Sequence, residues 1–203
     1  MEKKLLSLKM ATMTSLPLPV SLVSSVGPDN VPNILVITYI TGVNEEPPMF
    51  GIAIRPQKFS HRLIKSTGEF VINIPTAKLL KEIDFCGTFS GKNVHKFNYL
   101  GLTPLKARCI RVPIIAECPI NIECRVKQII HLPSHDFFIG EAVALHIDRD
   151  IVCRRKNQYG LLLPDFSCLS FLFTTFLDYR VVGPKVGTAF QEHKKPPKEI
   201  ICR

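Results

Sequence analysis

A cation and a hydroxyl stand close together in the stretch AIRPQKFSHRLIKSTGEFVINIP. Arg55 ends an apolar, strand-type run, and Ser60 lies near the beginning of the amphipathic segment that follows. A guanidinium, a hydroxyl and the unpaired backbone amides at the start of a helix suit a phosphate group. The same residues also suit a surface charge and an ordinary helix serine, so the pattern alone leaves both interpretations open.

The junction between these two residues requires a strand that stops and a helix that starts. A residue before proline favours extended geometry, so the strand is predicted to end at Arg55, and Pro56 can start the next element. Apolar residues then recur at helical spacing from Phe59 to Ile64, and Gly68 offers the left-handed conformation that closes a helix. The sequence therefore predicts a short helix between two strands.

Other motifs that bind phosphate or metal are missing from the sequence. It has no Gly-x-x-x-x-Gly-Lys-Ser/Thr loop and no Gly-x-Gly-x-x-Gly fingerprint, which argues against the dedicated nucleotide-binding folds. The 7 cysteines form no Cys-x-x-Cys pair and no finger-type Cys/His spacing. His131 and His135 are four residues apart, but the segment between them is not helical. We expect no metal site, and we expect reduced, largely buried thiols.

The pattern of apolar runs predicts a mainly β fold. Six β-type runs are present: SLVSSV, NILVITYITG, MFGIAI, EFVINI, PINIECRVKQIIHL and HDFFIGEAVALHID. A second short helix follows Thr76, which can cap it, with Leu79, Leu80, Ile83 and Cys86 on one face. Alternating βα units are absent, so we expect an antiparallel barrel with added helices. The 203 residues fit one domain at 17–190, with an N-terminal extension at 1–16 and a basic tail at 191–203.

The charge balance permits several classes of partner. The net charge of +9 would suit nucleic acid, an anionic lipid surface or phosphorylated small molecules. No run approaches the about 20 apolar residues of a membrane span, and Lys9 interrupts the only stretch that could be a signal peptide, so we expect a cytoplasmic protein without a membrane partner. The aromatic residues cluster in apolar runs such as FLFTTF instead of following a cationic groove, which argues against nucleic acid as a partner.

Several stretches, taken together and in order, resemble a known family. They are NILVITYITG, PPMFGIAIRPQKFSHRLIKSTGEFVINIP, DFCGTFSGKNVHKF, ECPINIECRVKQII and SHDFFIGEAVALHID. In this order they resemble the flavin reductase-like family, specifically the flavoredoxin branch of the FMN-binding split barrels. The resemblance covers roughly residues 17–150.

The resemblance implies a six-stranded antiparallel Greek-key split barrel that forms a homodimer and holds FMN near the dimer interface. NADH or NADPH is implied as electron donor. The cofactor-binding positions that it implies are Asn33, Ile34, Val36, Ile37, Thr38, Tyr39, Arg55, Ser60, Asn73, Lys92, Lys96 and Phe166. Tyr39 stands where the family often has a tryptophan, and this chain has none. His135 matches a histidine that faces the flavin and is the implied catalytic residue.

Two functions follow from the resemblance. The first is an FMN-binding reductase that passes electrons from reduced nicotinamide to free flavin, a ferric chelate or another acceptor. The alternative is a flavoredoxin-type carrier that receives electrons from a redox protein partner, with the basic surface used for docking. In both cases the cofactor supplies the redox chemistry, which accounts for the lack of a catalytic dyad or triad in the sequence.

Overall fold

Strands dominate the computed structural model, which describes residues 4–5, 8, 11–14, 16–156, 162–175 and 177–186. Its strands are β1 (Leu18–Pro19), β2 (Ser21–Val26), β3 (Pro32–Ile37), β4 (Ile40–Asn44), β5 (Met49–Ile54), β6 (Glu69–Ile74), β7 (Pro104–Leu105), β8 (Ile114–Ile115), β9 (Ile120–His131), β10 (Asp136–Ile147), β11 (Val152–Lys156), β12 (Leu162–Pro164), β13 (Leu172–Thr175) and β14 (Asp178–Val181). The helices are α1 (Ala11–Thr14), α2 (Phe59–Thr67), α3 (Leu80–Thr88) and α4 (Lys96–Leu100).

The main sheet has seven antiparallel strands in the order β3-β2-β6-β9-β10-β5-β4. Its two edge strands, β3 and β4, are separated in sequence only by Thr38 and Tyr39. Because so short a link spans less than about 10 Å, the sheet must curl until its edges approach each other. The Ala53 amide donates a 3.0 Å hydrogen bond to the Tyr39 carbonyl at this closure. The closure point is therefore built by the segment that the resemblance assigned to the flavin.

The fold class is confirmed, and one strand differs from the sequence-based count. The run NILVITYITG was predicted as a single strand, but it forms β3 and β4 on opposite edges of the sheet. The chain leaves one edge at Ile37 and joins the other at Ile40, so the residues between them cross the opening of the barrel. Apolar patterning cannot show this crossing, because both halves of the run are apolar.

The barrel interior is filled by one apolar cluster, and a second cluster lies beneath the helices. The first comprises Val23, Leu35, Ile37, Ile52, Ile54, Ile64, Phe70, Ile72, Cys124 and Phe138. The second comprises Val20, Leu22, Ile34, Leu79, Ile83, Cys86, Phe97, Leu102, Ile115, Cys118 and Leu172. Successive side chains of β3 alternate between the two clusters, with Ile34 in the second and Leu35 in the first. Its polar residue, Asn33, is buried where the barrel meets the helical layer.

The first predicted helix is confirmed, with a later start. Helix α2 ends at Gly68, whose φ of 68° is left-handed and whose amide donates to the Ile64 carbonyl. Pro56 was expected to start this helix. It lies instead in a turn closed by the Lys58 amide and the Arg55 carbonyl, and the helix begins after Lys58.

The second predicted helix is present, but its predicted face is partly wrong. Thr76 makes no side-chain capping bond, and a 3-10 turn at Ala77–Leu79 precedes α3. Since this turn is wound more tightly than an α-helix, the spacing is offset and Leu80 is exposed instead of buried. Between α3 and β7, residues 89–103 contain only the short helix α4.

Both ends of the chain are only partly covered by the described residues. The proposed tail at 191–203 lies outside the described residues, so the domain bounds stay a prediction. None of the helices in the described ranges is long and apolar enough to cross a membrane. Within the same ranges, no group of three or more His, Cys, Asp or Glu side chains is placed to hold a metal ion. The four described cysteines that can be assessed are free, and burial raises the pKa of Cys86 to about 11 and that of Cys124 to about 12.

Candidate functional site

A cleft with one polar end begins where β5 turns into α2. Ser60 and Asn33 are both buried there, and the Asn33 Nδ2 donates a 2.7 Å hydrogen bond to the Ser60 Oγ. The Asn33 Oδ1 is also buried, and it has no hydrogen-bond partner among the described residues. A buried carbonyl oxygen without a donor costs free energy, so this atom marks a place where a ligand would complete the structure.

The loop after α3 forms the other wall of this polar end. A Cβ at Gly91 would overlap the Asn33 carboxamide, so only glycine permits this close approach. The polar end has a volume of about 410 Å³ and is lined by Asn33, Leu35, Arg55, Gln57, Lys58, Phe59, Ser60, Cys86, Gly87, Thr88, Phe89, Ser90, Gly91 and Lys96. The predicted pair of Arg55 and Ser60 therefore shares one cavity, together with two lysines.

Lys96 has a structural task as well as a place in the cleft. Its Nζ is almost fully buried and donates to the Ile34 carbonyl at 2.7 Å and to the Cys86 carbonyl at 2.8 Å. It thereby ties β3 to α3. Burial lowers the pKa of the ammonium from its usual value, while the nearby Cys86 raises it by a smaller amount. An ammonium has three donors, so one N–H remains for an acceptor in the cleft.

A flatter end of the cleft adjoins the polar end. It has a volume of about 300 Å³ and is lined by Leu18, Leu35, Val36, Ile37, Thr38, Tyr39, Ala53, Ile54, Arg55, Lys58, His135 and Thr174. Leu35, Arg55 and Lys58 line both ends, so the two cavities form one elongated cleft. The segment that closes the barrel supplies one wall of this flat end, as the resemblance implied.

His135 reaches the flat end from the turn between β9 and β10. Its ring lies 5.5 Å from that of Tyr39, centroid to centroid, at an interplanar angle of 52°. Burial lowers the pKa of His135 from its usual value, and the positive charge of Arg55 lowers it further. The imidazole is therefore biased toward its neutral form, which can both donate and accept a hydrogen bond.

A histidine pair around Asp136 holds this turn against α2, and sequence reasoning missed it. The buried Asp136 Oδ2 lies 2.7 Å from the His61 Nε2, and its Oδ1 lies 2.8 Å from the His131 Nδ1. Hydrogen bonds from His131 and His61 lower the pKa of Asp136, outweighing the desolvation that would raise it. The carboxylate thus joins the helix that carries Ser60 to the hairpin that carries His135. The adjacency of Ser60 to His61 and of His135 to Asp136 was the only signal in the sequence.

Four predicted cofactor-binding residues lie elsewhere. Asn73 is fully buried in β6, where every polar atom of its side chain has protein partners. Ile34 points into the apolar cluster beneath the helices, so only its carbonyl, bound to Lys96, takes part in the site. Lys92 is exposed and lies outside the cleft lining. Phe166 packs on Phe171 beside a separate apolar depression.

The family assignment agrees with this geometry. The profile of the flavin reductase like domain matches residues 13–159, which is most of the chain. The chain belongs to this family. The match begins before β1 and ends beyond β10, so the whole barrel lies inside it, as do all the cleft-lining residues named above except Thr174.

Two sequence relatives of this flavin reductase-like chain are described only as uncharacterized proteins. One from Archaeoglobus fulgidus is 37% identical over 116 residues, which is 57% of this chain. One from Pyrococcus abyssi is 34% identical over 112 residues, which is 55% of this chain. In both cases the matched region spans 64% of the relative's own length.

Solved structures confirm the resemblance to the flavoredoxin branch. The flavoredoxin of Desulfovibrio vulgaris (Miyazaki F) is 28% identical with a TM-score of 0.83, covering 96% of this chain and 100% of that chain. The flavoredoxin from Methanosarcina acetivorans is 26% identical with a TM-score of 0.82, covering 95% of this chain and 97% of that chain. Nitrilotriacetate monooxygenase component B from Bacillus cereus, at 22% identity and a TM-score of 0.81 over 92% of this chain and 100% of that chain, shares the fold.

The cleft meets the chemical requirements of a flavin nucleotide. The Asn33 Oδ1, which has no partner among the described residues, can accept a hydrogen bond from a ribityl hydroxyl. The Ser60 hydroxyl lies beside it. The free N–H of Lys96 and the cations Arg55 and Lys58 suit a phosphate. The aliphatic side chains in the lining of the flat end, among them Leu18, Val36 and Ile54, suit the face of a planar ring. The residues present therefore fit the cofactor that the family implies.

Proposed function

We propose that this protein binds FMN in the elongated cleft and uses it as a flavin oxidoreductase. Asn33, Ser60 and Lys96 would hold the ribityl and phosphate groups at the polar end. Residues Val36–Tyr39 would line the isoalloxazine ring at the flat end. The observation that carries the proposal is the buried Asn33 Oδ1, which has no partner in the described part of the chain and belongs to the lining of a cavity rich in donors and cations.

The electron donor in this proposal is NADH or NADPH, and the acceptor is free flavin, a ferric chelate or another small oxidant. Bound FMN supplies the hydride and electron chemistry, and the protein supplies binding and orientation. His135 and Tyr39 edge the flat end, where a nicotinamide would have to approach. The neutral form of His135 would orient that ring by hydrogen bonding without adding a positive charge beside Arg55.

A second candidate is a flavoredoxin-type electron carrier. Of the three solved structures described above, the two more than 25% identical to this chain are both flavoredoxins. A carrier of this kind would receive electrons from a redox protein, and the net charge of +9 would favour docking to an acidic partner. It would bind FMN in the same cleft and oxidise reduced nicotinamide slowly.

The deciding experiment is the visible absorption spectrum of the purified protein, taken before and after anaerobic addition of FMN and then of NADH or NADPH. Two flavin bands that bleach with the nicotinamide are the expected result and support the reductase. Bands that persist with nicotinamide but bleach with a ferredoxin-like donor would favour the carrier. If the protein binds no flavin, both candidates fail.

The family resemblance also leads us to expect a homodimer in the cytoplasm. The apolar depression beside Phe166 is lined almost entirely by carbon, and Phe166 itself is exposed at its edge. Exposed apolar surface of this kind is typical of contacts between subunits. Light scattering coupled to size exclusion would give the mass, and a monomer with bound FMN would contradict the expectation.

A further inference from the structure

A second depression opens on the surface beside the polar end of the cleft. It has a volume of about 540 Å³ and is lined by Leu80, Lys81, Asp84, Phe85, Thr88, Phe89 and Tyr179. Thr88 and Phe89 also line the polar end. The two cavities are therefore neighbours, and a ligand whose phosphate lies in the cleft reaches the depression by extending past Phe89.

Three aromatic rings stack beside this depression, and two of them are largely exposed. The rings of Phe85 and Tyr99 are 4.6 Å apart at 17°, and those of Phe85 and Phe89 are 4.5 Å apart at 31°. Phe89 is 49% exposed and Tyr99 is 69% exposed. Clustered aromatic rings on a surface are unusual unless they contact a ligand or a partner. We call Phe85, Phe89 and Tyr99 the α3 platform.

We infer that the α3 platform binds the adenosine half of a dinucleotide whose other half lies in the FMN cleft, when the ligand is FAD, or against bound FMN, when the ligand is NADH or NADPH. This inference rests on the proposed flavin function and adds a second subsite to it. An adenine base stacks favourably on an aromatic ring whatever its hydrogen bonding, so Phe89 can receive it directly. A dinucleotide has the required length and charge because its two phosphates link the two halves.

The polar residues around the platform suit adenosine better than they suit an apolar partner. Lys81 lies in the depression and can pair with the second phosphate of a pyrophosphate. Asp84 lies there too, hydrogen-bonded to Tyr179, and its carboxylate has further acceptor sites for the exocyclic amine of adenine. The depression thus offers one cationic and one anionic side chain beside the rings, which suit the phosphate and the amine of one nucleotide.

Two ligands carry this chemistry, namely FAD and the reduced nicotinamide dinucleotides, and a comparison with mononucleotides separates them. For FAD, flavin-free protein is titrated with FAD and with FMN, and the two Kd values are compared as a ratio. For the nicotinamide, FMN-loaded protein is assayed with NADH and with reduced nicotinamide mononucleotide, and the two KM values are compared. Ratios are used because Phe89 also borders the FMN cleft, so its loss can change both halves of each comparison.

Phe89→Ala is the main variant, and Lys81→Glu is the second because an exposed lysine can be replaced without unfolding. In Phe89→Ala, one of the two ratios should move by about tenfold against the dinucleotide, as expected for loss of one base stack. Lys81→Glu should move the same ratio in the same direction by several-fold at low salt. Leu145→Ala removes an exposed apolar side chain that lines neither cavity and should leave both ratios unchanged.

The ratio that moves identifies the source of the adenosine. If neither ratio moves in either variant while the wild type binds FMN, the α3 platform has no role in nucleotide binding and this inference is overturned alone. If the wild type binds neither flavin, the proposed function falls first and the second subsite falls with it. A shift in Leu145→Ala as large as in Phe89→Ala would also overturn the assignment, because the effect would not be local.

Discussion

Asn33 and Asn73 are two buried asparagines on strands of the same barrel, and the resemblance gave both the same role. Asn73 donates to the carbonyls of Leu22 and Val71 and to the Ser24 hydroxyl, while its Oδ1 accepts from Ile115 and Asn121. Asn33 donates to Ser60, and its Oδ1 has no partner in the described part of the chain. All polar atoms of the Asn73 side chain are hydrogen-bonded without a ligand, whereas the Asn33 side chain keeps one unpaired oxygen in the described part of the chain.

The contrast separates, on physical grounds, an asparagine whose hydrogen bonds are all made within the fold from one that keeps an open acceptor. A buried amide whose donors and acceptors are all paired contributes to folding and has nothing left to offer a cofactor. A buried amide that lines a cavity and has an unpaired oxygen can still accept a hydrogen bond from a ligand. The following predictions test this distinction, beginning with the largest expected effect.

Asn73→Ala should destabilise the protein without specifically harming the cleft. It removes both acceptor bonds to Ile115 and Asn121 and leaves their donors buried and unpaired. We expect a loss of about 3–5 kcal/mol in the free energy of unfolding. Thermal unfolding of the flavin-free protein measures this, and FMN affinity at a temperature where the variant is folded should stay within about threefold. A wild-type Tm would show that the network is not structural.

Lys96→Met should affect both properties, because Lys96 belongs to the scaffold and to the cleft. The variant keeps the apolar stem but loses the hydrogen bonds to the Ile34 and Cys86 carbonyls. We expect a lower Tm and an FMN affinity weaker by tenfold or more, since a charge-assisted contact contributes about 1.5–3 kcal/mol. Lys92→Met is the matched control, because Lys92 is exposed outside the cleft. Equal losses in both variants would mean that only net charge matters.

Asn33→Ala should weaken FMN binding with little effect on stability, which is the reverse of the result expected for Asn73→Ala. It removes one buried hydrogen bond to the Ser60 hydroxyl, but it also removes a buried oxygen that has no partner among the described residues, and the two effects oppose each other. We therefore expect a stability change below about 1 kcal/mol. FMN affinity should fall by about tenfold, the loss of one well-placed polar contact. Flavin fluorescence titration measures the affinity. A variant that loses several kcal/mol of stability but, where it is folded, binds FMN with wild-type affinity would erase the difference between the two asparagines.

His135→Ala should change turnover more than flavin binding. Its ring edges the flat end and makes no hydrogen bond to the polar end among those observed. We expect FMN reduction by NADH to slow several-fold in stopped-flow experiments, with FMN affinity within about threefold. His95→Ala replaces an exposed histidine that lies outside the cleft lining and serves as the control. A wild-type reduction rate would remove His135 from the site.

Asp136→Asn should change how the free energy of unfolding depends on pH in the acid range. The pKa of Asp136 is lowered in the folded protein, so the ionised carboxylate stabilises the fold above the unfolded pKa of about 3.9, and this stabilisation is lost as pH falls through the folded value. The variant should therefore be less stable than the wild type near neutral pH, and the gap should narrow on acidification below about pH 4. Thermal melts from pH 7 down to pH 3 test this, and a gap that stays constant would contradict it.

The local elements around the site could be predicted because their signals are local. Arg55 before a proline, the apolar spacing from Phe59 to Ile64 and Gly68 together predicted the strand, the helix and its end. The hairpin of β9 and β10 followed from two long β-type runs around a turn. Assignments of Asn33, Thr38, Tyr39, Ser60, Lys96 and His135 to one cleft came from the family resemblance, and the structure brings all six to its two ends.

The rest could not be predicted because it depends on contacts between distant residues. Nothing in its sequence neighbourhood shows that Asn73 meets Asn121 and Ile115, or that Asp136 meets His61. The split of NILVITYITG into two edge strands is equally hidden, because both halves of the run are apolar.

By itself, the sequence determined the chemical types available, the strand and helix junction at Arg55–Ser60 and the mainly β class. These depend on backbone preferences and periodicity within a few residues of each other. Only the tertiary structure decided which buried polar groups are satisfied and which remain open to a ligand. Pairing of β6 with β2 and β9 surrounded Asn73 with partners, while Asn33 came to lie beside Ser60 of α2. Hydrogen bonding across the fold therefore made Asn73 part of the scaffold and left the Asn33 Oδ1 without a partner among the described residues.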